Sequence, residues 1–101
     1  GTPRLADDQL AIVVRGGRPE AVTGPVVIEA QAGSRLDINL VEFYVDGQIL
    51  ALTNVSPYRV RWNAPGGQPG EHAIRVIARD SADRKIATAE ATVIVAEPQT
   101  N

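Results

Sequence analysis

The sequence contains no cysteine and no methionine, and only four aromatic side chains: one Trp, one Phe and two Tyr. Without cysteine there are no disulfides and no thiolate metal sites, and the redox compartment is left open. With so few aromatics, any interior must be built mainly from Val, Ile, Leu and Ala. Clustered positive charge is also missing: Lys and Arg number ten against twelve Asp and Glu, a net charge of −2, with the signs interspersed. Nucleic acid and anionic membranes require a concentrated basic patch, so neither is expected as a partner. The chain has no apolar run long enough to span a bilayer and no signal-peptide or lipidation motif. No window sustains a 3.6-residue apolar period, so no helix is expected.

What is present is period two. Val41, Phe43 and Val45 alternate with Glu42 and Tyr44, and Asp46-Gly47 then stops the run. Alternation marks a strand with one buried face, and Asp-Gly supplies the positive φ of a tight hairpin turn. The same reading gives strands near Leu10–Arg15, Val26–Ala32, Gln48–Thr53, Pro57–Trp62, Glu71–Asp80 and Ile86–Val95. Pro and Gly punctuate them about every ten residues, including Gly16-Gly17-Arg18-Pro19 and Val22-Thr23-Gly24-Pro25, read as breaks. Pro19 lacks a donor, which fits a crossing at a sheet edge. Seven short strands at this spacing predict an all-β, two-sheet antiparallel sandwich.

The 101 residues fit one domain, and 44% of them are apolar, enough for a single core. Residues 1–9 read as a linker or disordered arm, 10–96 as the domain and 97–101 as an exit linker. The start at Gly1-Thr2-Pro3, with no methionine anywhere, reads as a segment of a longer chain. Val41, Phe43, Val45, Tyr58, Trp62, Ile74 and Val76 are the expected core anchors, each on the apolar side of an alternating run.

Four blocks stand in one order: Val22-x-Gly24-Pro25-Val26-x-Ile28-x-Ala30, then Val41 to Gly47, then Pro57-Tyr58-x-x-x-Trp62, then Gly70-x-His72-x-Ile74-x-Val76-x-Ala78-x-Asp80. Over roughly residues 10 to 95 the chain resembles the bacterial immunoglobulin-like domains of surface and secreted proteins. The resemblance implies a seven-stranded antiparallel Ig-like β-sandwich. It also implies a spacer, presentation or accessory role, located outside the cell or in its envelope, and it carries no shared catalytic residues. The chain departs from the family pattern at Arg15-Gly16-Gly17-Arg18-Pro19 and at Ser81-Ala82-Asp83-Arg84.

Residues able to carry chemistry are few. His72 is the one near-neutral titrating side chain and has no sequence-local partner, so it is expected to pack under a loop and bond a backbone carbonyl. Asp80 and Asp83 are weak calcium candidates, with Asp37 and Asn39 as conceivable additions; calcium takes six or more oxygens, and turn chemistry accounts for the pair. Gly66 to Gly70 precedes a strand rather than a helix, so no dinucleotide loop is expected, and no cofactor is implied. Arg59 and Arg61 are too few to bind nucleic acid. Trp62 and Tyr58 suit a core better than a sugar platform, since they lie opposite two arginines.

The outward side of the third and sixth strands is the more suggestive surface. Tyr44, Ile77 and Ile94 are expected to form an exposed apolar strip framed by Arg75 and Arg79, with Glu42 and Thr92 alongside. The expected function is a non-catalytic structural or interaction module of a larger bacterial cell-envelope or secreted protein. Its contact would be with an adjacent domain or a protein partner through that face. The alternative is a carbohydrate- or receptor-binding adhesion module using the loops at one end. The chain is not expected to be an enzyme.

Overall fold

A computed structural model describes residues 5–63 and 68–97. Seven strands follow in order: β1 Leu10–Arg15, β2 Val26–Ala32, β3 Leu40–Val45, β4 Gln48–Thr53, β5 Tyr58–Trp62, β6 Gly70–Arg79 and β7 Lys85–Val95. They form two antiparallel sheets, one ordered β1-β2-β5 and the other β4-β3-β6-β7. The third and sixth strands are neighbours with the seventh beside the sixth. Period two then decides the layers: the apolar side of each strand faces the opposite sheet.

Between the sheets lie Val26, Ile28 and Ala30 from β2, Val41 and Phe43 from β3, Ile74, Val76 and Ala78 from β6, and Val93 and Val95 from β7. Phe43 is the largest fully buried side chain. Of the expected anchors, Val41, Phe43, Ile74 and Val76 are buried, whereas Val45, Tyr58 and Trp62 are half-buried and pack against the cluster from its margin. The aliphatic interior follows from the shortage of aromatics: one ring is enclosed and branched side chains fill the rest.

The β3–β4 hairpin turns on Asp46 and Gly47, with φ of 52° and 81°. Two successive positive φ values are those of a type I′ turn, whose twist matches the flanking strands. β4 then carries one extra residue: Phe43 lies opposite Ala51 but Tyr44 lies opposite Ile49, which leaves Leu50 as a β-bulge.

Two segments depart from the expected organisation. Val22 reads as part of a turn but is fully buried. Its N–H donates to the Ile94 carbonyl, the Ala96 N–H donates to the Val22 carbonyl, and the Ile94 N–H donates to the Pro19 carbonyl. Residues 19–22 therefore leave the edge of the three-stranded sheet and close the β7 edge of the other, running parallel to it at Val22. Residues 6–9 are not a free arm. The Asp7 carbonyl accepts from the Arg35 N–H, the Gln9 carbonyl accepts from the Gly33 N–H, and Ser34 Oγ donates to Asp7 Oδ1. A Cβ at Gly33 would collide with the carbonyls of Ala6 and Asp7, so glycine is what lets this segment lie down.

Candidate interaction surface

The outer face of the four-stranded sheet is set by register. One row across the strands reads Leu52, Glu42, Ile77, Thr88, and the next reads Ile49, Tyr44, Arg75, Glu90. Beyond them come Ala73 opposite Thr92, then Glu71 opposite Ile94. Tyr44 and Ile77 thus sit diagonally adjacent, and Ile49 and Leu52 of β4 extend the apolar surface, each 55% exposed. Simple alternation along β4 does not place both on this face, because an unbulged strand would turn one of them inward.

Two expectations for this face are corrected. Ile77 is not an exposed residue: it retains 7% of its surface, lying between Glu42 and Thr88 in a central strand. Ile94, 39% exposed, does not join the strip, because its cross-strand partner Glu71 lies six residues along β6 from Ile77. At the strand rise of about 3.4 Å that is roughly 20 Å. The apolar surface is instead Ile49, Leu52 and Tyr44, with Ile77 buried beside them, and next to it runs a groove of about 730 Å³ lined by Tyr44, Ala73, Arg75, Ile77, Glu90 and Thr92.

The charges on this face are paired. Arg79 Nε donates to Glu42 Oε1 at 3.0 Å, both side chains partly covered, and this contact raises the Arg79 pKa above its usual value. Arg75 faces Glu90 at 3.7 Å in a more open setting. The face therefore carries no large field of one sign, and each row sets apolar side chains beside paired charges.

The opposite face, on the three-stranded sheet, holds a feature the sequence left unmarked. Glu29, in the central strand, is only 5% exposed. Its carboxylate accepts from Arg15 Nε and Nη2 at 3.3 and 3.1 Å, from Gln31 Nε2 at 3.0 Å, and from Arg59 Nε. Hydrogen bonds from Arg15, then Arg59 and Gln31, lower the Glu29 pKa to about 2. Two strands must flank β2 in this register before the cluster exists, so no local motif announces it.

His72 lies between two acceptors. Nδ1 is 2.6 Å from Asp46 Oδ2 and Nε2 bonds the Gln68 carbonyl, the backbone partner expected for it. A carbonyl can only accept, and a carboxylate only accepts when ionised, so the geometry suits the doubly protonated ring. The Gln68 carbonyl, then Asp46, raise the His72 pKa. Asp46 also accepts the Ala73 N–H at 2.9 Å, and that bond, then His72, lowers the Asp46 pKa. The turn residue thus ties the hairpin to β6. Trp62 meets His72 edge-on, with ring centroids 5.6 Å apart.

Asp80 is occupied within its own turn. Oδ1 accepts from the Ala82 and Arg84 N–H groups, and Oδ2 pairs with Arg84 at 3.0 Å. Asp83, at φ 63°, lies 3.9 Å from Arg79. The Asn39 N–H donates to the Arg79 carbonyl, which brings the loop holding Asp37 to the same end of the sandwich. Among the described residues no three His, Cys, Asp or Glu side chains gather as a metal site, and no helix is long and apolar enough to cross a membrane. Gly66 and Gly67 lie outside the described residues.

Two sheets of three and four strands, joined by a segment that changes sheets after β1, define an immunoglobulin-like β-sandwich. The bacterial Ig domain family matches residues 18–76, and the chain belongs to that family. Among solved structures, fibronectin(III)-like modules of CbhA from Clostridium thermocellum are similar at 25% identity, with a TM-score of 0.65, over 86% of this chain and 100% of theirs. A comparison with curated proteins finds no match. Modules of this class are generally structural or accessory, and typically non-catalytic.

Proposed function

We propose that this domain is a non-catalytic spacer or accessory module of a larger secreted or cell-envelope protein, seated against a neighbouring domain by the outer face of its four-stranded sheet. The observation that supports this most is the groove beside Tyr44 and Ile77. It combines an apolar floor with the Arg75–Glu90 pair at its side, in a domain whose interior is already complete. Inter-domain contacts are of this mixed character, more polar than a core and large enough to orient one body on another. Location outside the cell rests on the family and on its likeness to fibronectin(III)-like modules. A sugar-binding role at the loop end would call for an open aromatic platform, whereas Trp62 packs on the core margin and turns toward His72.

The test is amide chemical-shift mapping of the module inside its parent chain against the isolated module. Docking predicts shifts confined to Tyr44, Ala73 to Ile77 and Glu90 to Thr92, and Arg75→Glu returns them to the isolated values. Identical spectra in the two settings would overturn the proposal.

A further inference from the structure

A sheet that is not closed has edges, and each edge offers unpaired backbone groups to another strand unless something guards it. Three of the four edges here are guarded. β5 follows Pro57 and carries Arg59 and Arg61; β1 lies against β7, with no exposed side chain before Arg15; β7 carries Lys85 and Glu90 and is hydrogen-bonded by residues 19–22. The fourth edge, β4, is Gln-Ile-Leu-Ala-Leu-Thr, with no charge and no proline. Among the described residues its backbone pairs with β3 alone. Of the four exposed large apolar side chains among the described residues, three, Ile49, Leu52 and Val55, stand on this strand or just after it.

The bulge at Leu50 ordinarily would blunt such an edge. Here it has a second effect. Gln48, Leu50, Ala51 and Thr53 lie on the inner side, while Ile49 and Leu52 lie on the outer side. The pattern in-out-in-in-out-in reads the same in both directions. An antiparallel pair of strands requires residues directly opposite each other to share a face. A regular six-residue strand cannot meet that condition when paired end for end with itself. This one meets it at every position.

We infer that β4 is a self-pairing edge, and that its occupant is the β4 strand of a second copy of this chain, antiparallel, with Ile49 opposite Leu52 of the other copy and Leu50 opposite its Ala51. No like charges meet in this register, whereas self-pairing of β5 would bring arginines together. The pairing would join two four-stranded sheets into one of eight and would cover Ile49 and Leu52 on the outer face. Six residues a side bury less than the roughly 1,200 Å² of stable interfaces, so the association is weak and reversible.

Sedimentation velocity across about 10 μM to about 1 mM, the range of such a weak contact, tests the assignment together with hydrogen exchange of amides 48–53. Dimer growing with concentration, with slowed exchange confined to β4, is the expected result. Ile49→Lys with Leu52→Lys sets like charges opposite each other and abolishes the dimer. Ile49→Lys with Leu52→Glu places opposite charges across the same two pairs and recovers it, which only this register predicts. Monomer throughout, a dimer indifferent to the double lysine variant, or failure of the Lys/Glu variant to recover would each overturn the inference. Both sites are 55% exposed, so the variants are expected to fold.

Discussion

The two outer faces of the sandwich solve the same problem differently. On the three-stranded sheet, charge is gathered inward: Glu29 is covered by Arg15, Arg59 and Gln31, so a carboxylate holds three strands together. On the four-stranded sheet the ion pairs frame an apolar strip and leave Ile49, Leu52 and Tyr44 with open surface. The first face spends its polar groups on itself. The second keeps its apolar area for something else. One face is therefore expected to matter for stability and the other for contact.

The largest effect that would break this contrast is at Glu29. Glu29→Ala leaves two guanidiniums facing each other without their anion and is expected to cost about 2 kcal/mol in a urea melt, below the range for fully buried pairs because both arginines are half exposed. The sign with pH follows from the lowered pKa. The contribution of Glu29 is present above its unfolded value of 4.5 and is lost as pH falls toward about 2. Glu29→Gln should flatten that acid limb; an unchanged limb would remove Glu29 from its role.

A smaller effect belongs to the clasp at the end of the four-stranded sheet. Asp46→Asn keeps a residue that tolerates positive φ and an acceptor for Ala73, but removes the charge facing His72. About 1 kcal/mol is expected. Because the His72 pKa is raised, its contribution is full below 6.5 and is lost as pH rises through the folded value. Thermal melts from pH 5 to pH 9 should show this decline in the parent and a weaker one in the variant. The smallest effect sharpens the contrast: Arg75→Ala, on an open pair, should change stability by less than about 0.5 kcal/mol. A larger loss would mean that the contact face also supports the fold.

Much of the architecture was legible from period two and from Asp46-Gly47, because alternation and turn chemistry are local. The inner halves of β2, β3 and β6 followed directly. What was not legible depends on partners far along the chain. Val22 sits in a turn-like stretch and becomes buried only because the end of β7 pairs with it. Glu29 looks like any outward polar residue until Arg15 and Arg59 arrive from either side. The β4 bulge changed which side chains face out, and it placed Ile49 and Leu52 in the strip where Ile94 had been expected. The candidate surface was thus half readable: its strands and Tyr44 from alternation, its true extent only from register.

The segment that changes sheets also has a mechanical meaning. Residues 19–22 follow β1 and bond to the end of β7, the last strand, meeting it in parallel at Val22. If the two ends of the domain are pulled apart and β1 is drawn off β2, Val22 and Val95 are drawn in opposite directions along their length. The three hydrogen bonds between the two segments then carry the load together in shear, instead of opening one after another like a zip. A spacer held under tension would find part of its resistance to stretching in this short patch, at the site where the sequence shows only Pro19, Glu20, Ala21 and a valine that opens a turn.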